Sequence, residues 1–242
     1  MRPRDKLAVV ALALLTGVTV WLHDRDRKLT RMSHTSSDDT EINAPARPAP
    51  PPAPESLAAM VQPHGDDAGA LSPALKQALY EYNEVKKTLL FRDDLDREAA
   101  ARFAGKNMLT VAARFLTESS QEDAYSSEHE DMRVTLIDYV GDASLGRFSF
   151  EDRGQASLLL RWLLDMPLSL PGKDGRQVKS LIGDRIDLMA YYTQLDIGRA
   201  NEYLVRHRGE DIYKHLEVGY SNGLYWLGYG EEEIERALAD TR

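Results

Sequence analysis

Sixteen consecutive uncharged residues, Leu7–Leu22 (LAVVALALLTGVTVWL), stand behind the basic stretch 1–6 that carries Arg2, Arg4 and Lys6. A run of this kind in hydrocarbon satisfies its backbone polar groups only as a helix. A cleaved export signal ends in small residues just past its apolar core. This one ends Val20-Trp21-Leu22-His23-Asp24, with a bulky aromatic at the boundary and charge directly after. The sequence therefore reads as an uncleaved transmembrane signal-anchor over 7–22, with Trp21 at the interface. The run is short beside the ~20 residues of a typical span, and Lys6 and His23, whose side chains reach the interface, lengthen it. An apolar segment placed this early predicts an N-in, C-out arrangement. The expected location is the cell inner membrane, single-pass, with the C-terminal domain periplasmic.

Residues 23–71 read as a disordered Ala/Pro-rich linker. Ser33–Asn43 is almost devoid of apolar side chains, too few to offset the entropy of folding. Ala44–Pro54 (APARPAPPPAP) favours polyproline II; at about 3.1 Å per residue it makes a semi-rigid spacer of about 30 Å. Within the transitional Glu55–Leu71, the cluster Leu57-Ala58-Ala59-Met60-Val61 predicts a short helical contact.

The formal net charge of −9 is unevenly distributed. The residues around the apolar run are mainly basic, whereas from Pro73 onward acids outnumber lysine plus arginine by about eight. A basic end beside lipid headgroups and an acidic, solvated body are consistent with each other. The acidic body lacks the positive footprint that nucleic-acid binding requires. The absence of cysteine excludes disulfides, thiolate metal sites, cysteine nucleophiles and a lipidated cysteine anchor.

The body, 72–242, carries helical periodicity throughout. Ser72-Pro73 is a serine N-cap followed by proline at the first helical position. Behind it Leu75, Leu79, Tyr82, Val85 and Leu89 recur at intervals of three and four. A second helix is predicted over Leu95–Leu116 with a weak point at Gly105. Ser127 and Glu130 form a capping box for a third that Gly141 ends. Ser149 is the predicted cap of a helix over Glu151–Asp165, followed by a loop through Pro167 and Pro171–Gly175. Further helices are predicted over Val178–Tyr192, Asp196–Val205, Glu210–Val218 and Glu231–Ala239, with Gly219–Gly230 as a glycine-rich aromatic turn. No stretch alternates with period two. The expected fold is all-α: a compact helical bundle or a short irregular helical-repeat domain of about seven to eight helices.

No catalytic or cofactor motif stands out. His129 lies in Glu128-His129-Glu130-Asp131, but adjacent helix positions point in different directions and do not converge on an ion. His207 and His215 have no fixed spacing, and neither H-E-x-x-H nor G-x-S-x-G occurs. The many carboxylate pairs read as solvated helix faces, and Asp184 and Asp187 with Arg185 as partners of neighbouring helices. The expectation is no enzyme, no cofactor, no metal and no small-molecule ligand. The distinctive stretch is Gly219–Gly230, whose Tyr220, Tyr225, Trp226 and Tyr229 offer large area with a polar handle. They are the candidate partner-binding residues, with Tyr191, Tyr192 and Tyr203 as possible neighbours.

The anchor, the Ala/Pro-rich stalk and an all-helical exported body together resemble the lipase-specific foldases of Gram-negative bacteria. Tyr80-Glu81-Tyr82 stands where that family's first-helix motif has Phe-Asp-Tyr. The motif's arginine position is Gln77 in this chain, and the body is shorter than the family's two-lobed arm, so membership does not follow. The leading expectation is a single-pass membrane-anchored scaffold or adaptor that binds another protein in the extracytoplasmic space. The alternatives are a membrane-tethered periplasmic chaperone or foldase for a secreted client and, more remotely, a cell-wall-acting hydrolase.

Overall fold

The computed structural model of the chain describes residues 57, 71–88, 92–119, 127–166, 175–239 and 241. The expected anchor at 7–22 and the stalk up to Pro54 lie outside the described residues. Among the described residues there are nine α-helices and no strand, and none of the helices is long and apolar enough to cross a membrane.

Helix α1 spans Pro73–Thr88, with the Leu75 amide donating to Ser72 Oγ at 3.3 Å. The single helix expected over 95–116 is two, α2 (Arg92–Phe103) and α3 (Met108–Ser119). Between them Gly105 (φ 75°) and Asn107 (φ 51°) are both left-handed, which no helix interior accommodates. Helix α4 runs Ser127–Ser144, past Gly141, which was expected to end it. The stop is Gly146 at φ 70°, whose amide reaches the Ala143 carbonyl while that of Arg147 reaches Asp142. This is a Schellman ending.

The cap of α5 (Arg153–Asp165) is Asp152, which accepts from the Gln155 amide at 3.0 Å. Ser149, the expected cap, instead donates its amide to Asp96 on α2. The remaining helices are α6 (Gly175–Leu195), α7 (Ile197–Arg206, capped by Asp196), α8 (Tyr213–Trp226) and α9 (Glu231–Ala239).

Three of these helices run side by side in one direction. Between α4 with the turn that follows it and α6, the pairs Arg133–Asp184, Asp138–Tyr191 and Arg147–Gln194 advance in the same sense along both segments. Between α6 and α8, Gly219 abuts Ile186 and Met189, and Gly223 abuts Ala190 and Thr193. Helices α5, α7 and α9 each fold back on the one before, giving successive pairs α4–α5, α6–α7 and α8–α9.

Helices α6 and α8 come close enough for backbone contact. The two glycines are one turn apart on one face of α8, and a Cβ at either would lie 2.5 Å from α6. The glycines expected to make a turn are therefore helical, and their missing side chains bring two backbones together.

Where α1, α2 and α4 meet, an aromatic cluster fills the core. Phe103 is edge-on to Tyr82 and to Tyr139, with centroids at 5.2 and 5.5 Å, and Phe148 lies 4.9 Å from Tyr139. Such pairs contribute about 0.5–1.5 kcal/mol each beyond area burial. Leu57 joins the same core, fully buried.

Candidate functional site

The four aromatic residues singled out by sequence do not share one environment. Tyr220 is 2% exposed and belongs to the hydrophobic core. Tyr225 (67% exposed), Trp226 (44%), Leu227 and Tyr229 stand together at the end of α8. What gathers them is Gly228, at φ 93°: its amide reaches the Tyr225 carbonyl and that of Tyr229 returns to Leu224. This second Schellman ending folds Tyr229 back beside the last turn. Val218, one heptad before Tyr225 on the same face, is also exposed.

Trp226 is held from beneath. Its ring packs edge-on to Tyr191 with centroids 5.7 Å apart, and the Tyr191 ring fills the space over Gly141. Gly141 is thus a packing position rather than a helix stop. The Tyr191 hydroxyl donates to Asp138 Oδ1 at 2.9 Å. Lys86 Nζ, from the last turn of α1, sits 3.1 Å from Asp138 and 3.0 Å from Asp142. Asp142 is fully buried and is also met by Arg147 at 2.5 Å.

Burial pushes the Tyr191 phenol well up, and Asp138 and Asp142 add to it. It therefore stays a protonated donor. Burial alone would lower the Lys86 ammonium, but the two carboxylates outweigh it and its pKa is raised. Here two carboxylates face two cations and a phenol. The arrangement is chemically a rigid support.

Of the neighbours expected for this stretch, Tyr191 is in place. Tyr192 and Tyr203 instead pair with each other, centroids 6.1 Å apart. Lys86, Asp138, Asp142 and Arg147 were not foreseen. Only the i, i+4 spacing of Asp138 and Asp142 hinted at a shared face, because Lys86 and Tyr191 are 50 residues or so away in sequence, although Arg147 is only five from Asp142.

The expected pairing of Asp184 and Arg185 with neighbouring helices is present. Arg133 donates Nε to Asp184 Oδ2 at 2.7 Å and Nη1 to the Leu116 carbonyl at 3.1 Å. Burial pushes the Asp184 carboxyl up, against the pull of Arg133. Arg185 donates to the Leu163 and Met166 carbonyls, closing the C-terminus of α5. Burial lowers its guanidinium to about 10.

His129 stacks on Phe115, and His207 Nδ1 lies 2.9 Å from the Tyr203 carbonyl. Among the described residues no group of three or more metal-ligating side chains converges. In the stretch resembling the foldase motif, Tyr80 is exposed but Tyr82 is buried in the aromatic cluster.

Fold and site together define an all-helical domain with a supported, solvent-facing aromatic end. Comparison with known families, curated proteins and solved structures gave no match to any of them.

Proposed function

We propose that this chain is a single-pass membrane-anchored scaffold whose helical domain binds another protein in the extracytoplasmic space. The contact surface is the end of α8, with Tyr225, Trp226 and Tyr229 as anchors. The observation that carries the reading is the exposure of four large side chains, Tyr225, Trp226, Leu227 and Tyr229, at one helix end. Trp226 is additionally fixed against Tyr191. Exposed aromatics held in place before binding lose little entropy on contact and are the residues that dominate protein interfaces. The apolar run at 7–22 and the proline-rich stalk supply the tether. The succession of paired helices favours the helical-repeat form of the fold over an irregular bundle.

The test is in-cell crosslinking of the full chain, compared with Tyr225→Ala and Trp226→Ala, alongside protease access to a C-terminal tag in intact and permeabilised cells. A hot-spot aromatic carries about 2 kcal/mol or more of binding, so each variant should lose most of its adducts with helicity unchanged. Undiminished adducts in both variants would remove the surface from consideration. Protection of the tag on the outer face would remove the location.

A further inference from the structure

A second concave feature lies away from the aromatic end, and nothing about it depends on the scaffold reading. Helices α5 and α7 face each other across a cavity of about 140 Å³. From α5 it is lined by Arg161, Leu164 and Asp165; from α7 by Arg199, Glu202, Tyr203 and Arg206. Spacings of three, four and seven place each set on one helix face. Tyr192 of α6 lines it as well.

The polar groups are unequally engaged. Arg199 is paired with Asp196 at 3.4 Å. The Tyr203 hydroxyl is donated to the Leu164 carbonyl at 3.1 Å. Arg161 and Arg206 have no ion-pair partner among the described residues, and Arg161 Nε is buried without any hydrogen-bond partner. A buried unpaired donor in the wall of a cavity is an energetic deficit that a ligand acceptor removes.

The lining carries three guanidiniums against two carboxylates, an excess of one positive charge. A guanidinium fork matches a planar carboxylate bidentately. A singly charged group balances the site, whereas a doubly charged phosphate would also face Asp165 and Glu202. Leu164 and the rings of Tyr192 and Tyr203 leave an apolar wall for whatever the carboxylate is attached to.

We propose that the slot between α5 and α7 binds a carboxylate carried on an apolar or aromatic body, with Arg161 and Arg206 as its ligands. The source is either a free organic acid or the C-terminus of a peptide.

Calorimetric titration of the full chain in mild detergent with 3-phenylpropionate, its amide, N-acetyl-phenylalanine and inorganic phosphate decides this. Millimolar binding of the carboxylates, absent for the amide, is expected. Arg161→Gln and Arg206→Gln should each weaken it about tenfold, the effect of losing one charged hydrogen bond, while Lys106→Gln should not. Because Arg206 is exposed, its replacement leaves the core intact. Tighter binding of N-acetyl-phenylalanine assigns the site to a peptide terminus; tighter binding of 3-phenylpropionate assigns it to a free acid. Equal binding of the amide, unchanged affinity in both arginine variants, preference for phosphate, or no carboxylate binding would each overturn the proposal.

Discussion

Replacing Gly223 by alanine sets two opposing effects against each other, and the structure says which wins. In a helix interior alanine is favoured over glycine by about 1 kcal/mol. At Gly223, however, the new Cβ would lie 2.5 Å from the Thr193 Cβ and 2.6 Å from the Ala190 carbonyl oxygen. Neither neighbour yields easily. The carbonyl belongs to the α6 backbone, and the Thr193 side chain is fixed by its hydrogen bond to the Met189 carbonyl at 2.8 Å. The helices must therefore separate along this close contact. Overpacking of this kind costs about 1–3 kcal/mol, and fixed neighbours put it near the upper end. The net expectation is a loss of about 2 kcal/mol, which lowers Tm by about 4–8 °C in a chain of this size. Gly183→Ala is the matched control: it is interior to α6 with nothing within 4 Å of a new Cβ. It should raise Tm by about 2–4 °C, the propensity gain alone. Thermal melts by far-UV circular dichroism compare the pair. A Gly223→Ala protein that melts at or above the parent temperature would refute close α6–α8 contact as the reason for this glycine.

Two further perturbations bear on the charged interior. Arg133→Met leaves Asp184 buried and unpaired and should cost about 3–5 kcal/mol in urea denaturation, whereas Arg133→Met with Asp184→Leu should cost far less; equal losses would show that the pair itself is not what matters. Lys86 titrates above its ordinary 10.5 in the folded state, so its contribution is fully present below pH 10.5 and is lost as pH rises through the folded pKa. The alkaline arm of the stability profile should therefore flatten in Lys86→Met, and an unchanged arm would remove Lys86 as its origin.

Helix existence was legible where apolar residues recur at three and four, as from Leu75 to Val85, and Ser72-Pro73 marked the start of α1 to the residue. Misjudged were the functions of individual glycines. Gly105 looked like a weak point but sits with Asn107 in a left-handed break. Gly141 looked like a stop, and Gly219 and Gly223 like parts of a turn, but all three are interior. Sequence shows that a side chain is missing without showing whether the vacancy serves a turn or a neighbouring helix; only the packed partner decides. The same limit applied to the candidate site. Tyr220 and Tyr225 are alike in sequence context, yet five positions apart on a helix they point to core and solvent respectively. Treating the stretch as a turn hid that periodicity. The support beneath Trp226 joins residues of α1, α4 and α6, contacts of a range that local pattern does not encode.

Those long-range polar contacts also explain how the aromatic end keeps its place. Apolar helix faces tolerate sliding by a turn, about 5.4 Å, because one ridge resembles the next. Polar pairs do not, since a slip of one turn separates donor from acceptor. Along the α4–α6 seam such pairs recur: Arg133–Asp184 and Asp138–Tyr191 join the two helices, and Arg147, just past the end of α4, meets Gln194 in the last turn of α6. Glycines then lock α8 against α6. The position of Trp226 relative to Asp138 follows from these two registers together, and its exposure is inherited from them. Burying ions is a poor way to gain stability and a better-attested way to fix register. The double replacement of Arg133 and Asp184 separates the two effects. It should keep most of the stability but loosen one of the three pins, and the indole resonance of Trp226 should broaden or split in consequence. A single sharp indole resonance, unchanged from the parent, would mean that the remaining two pairs suffice and that Arg133–Asp184 has no part in holding the aromatic end.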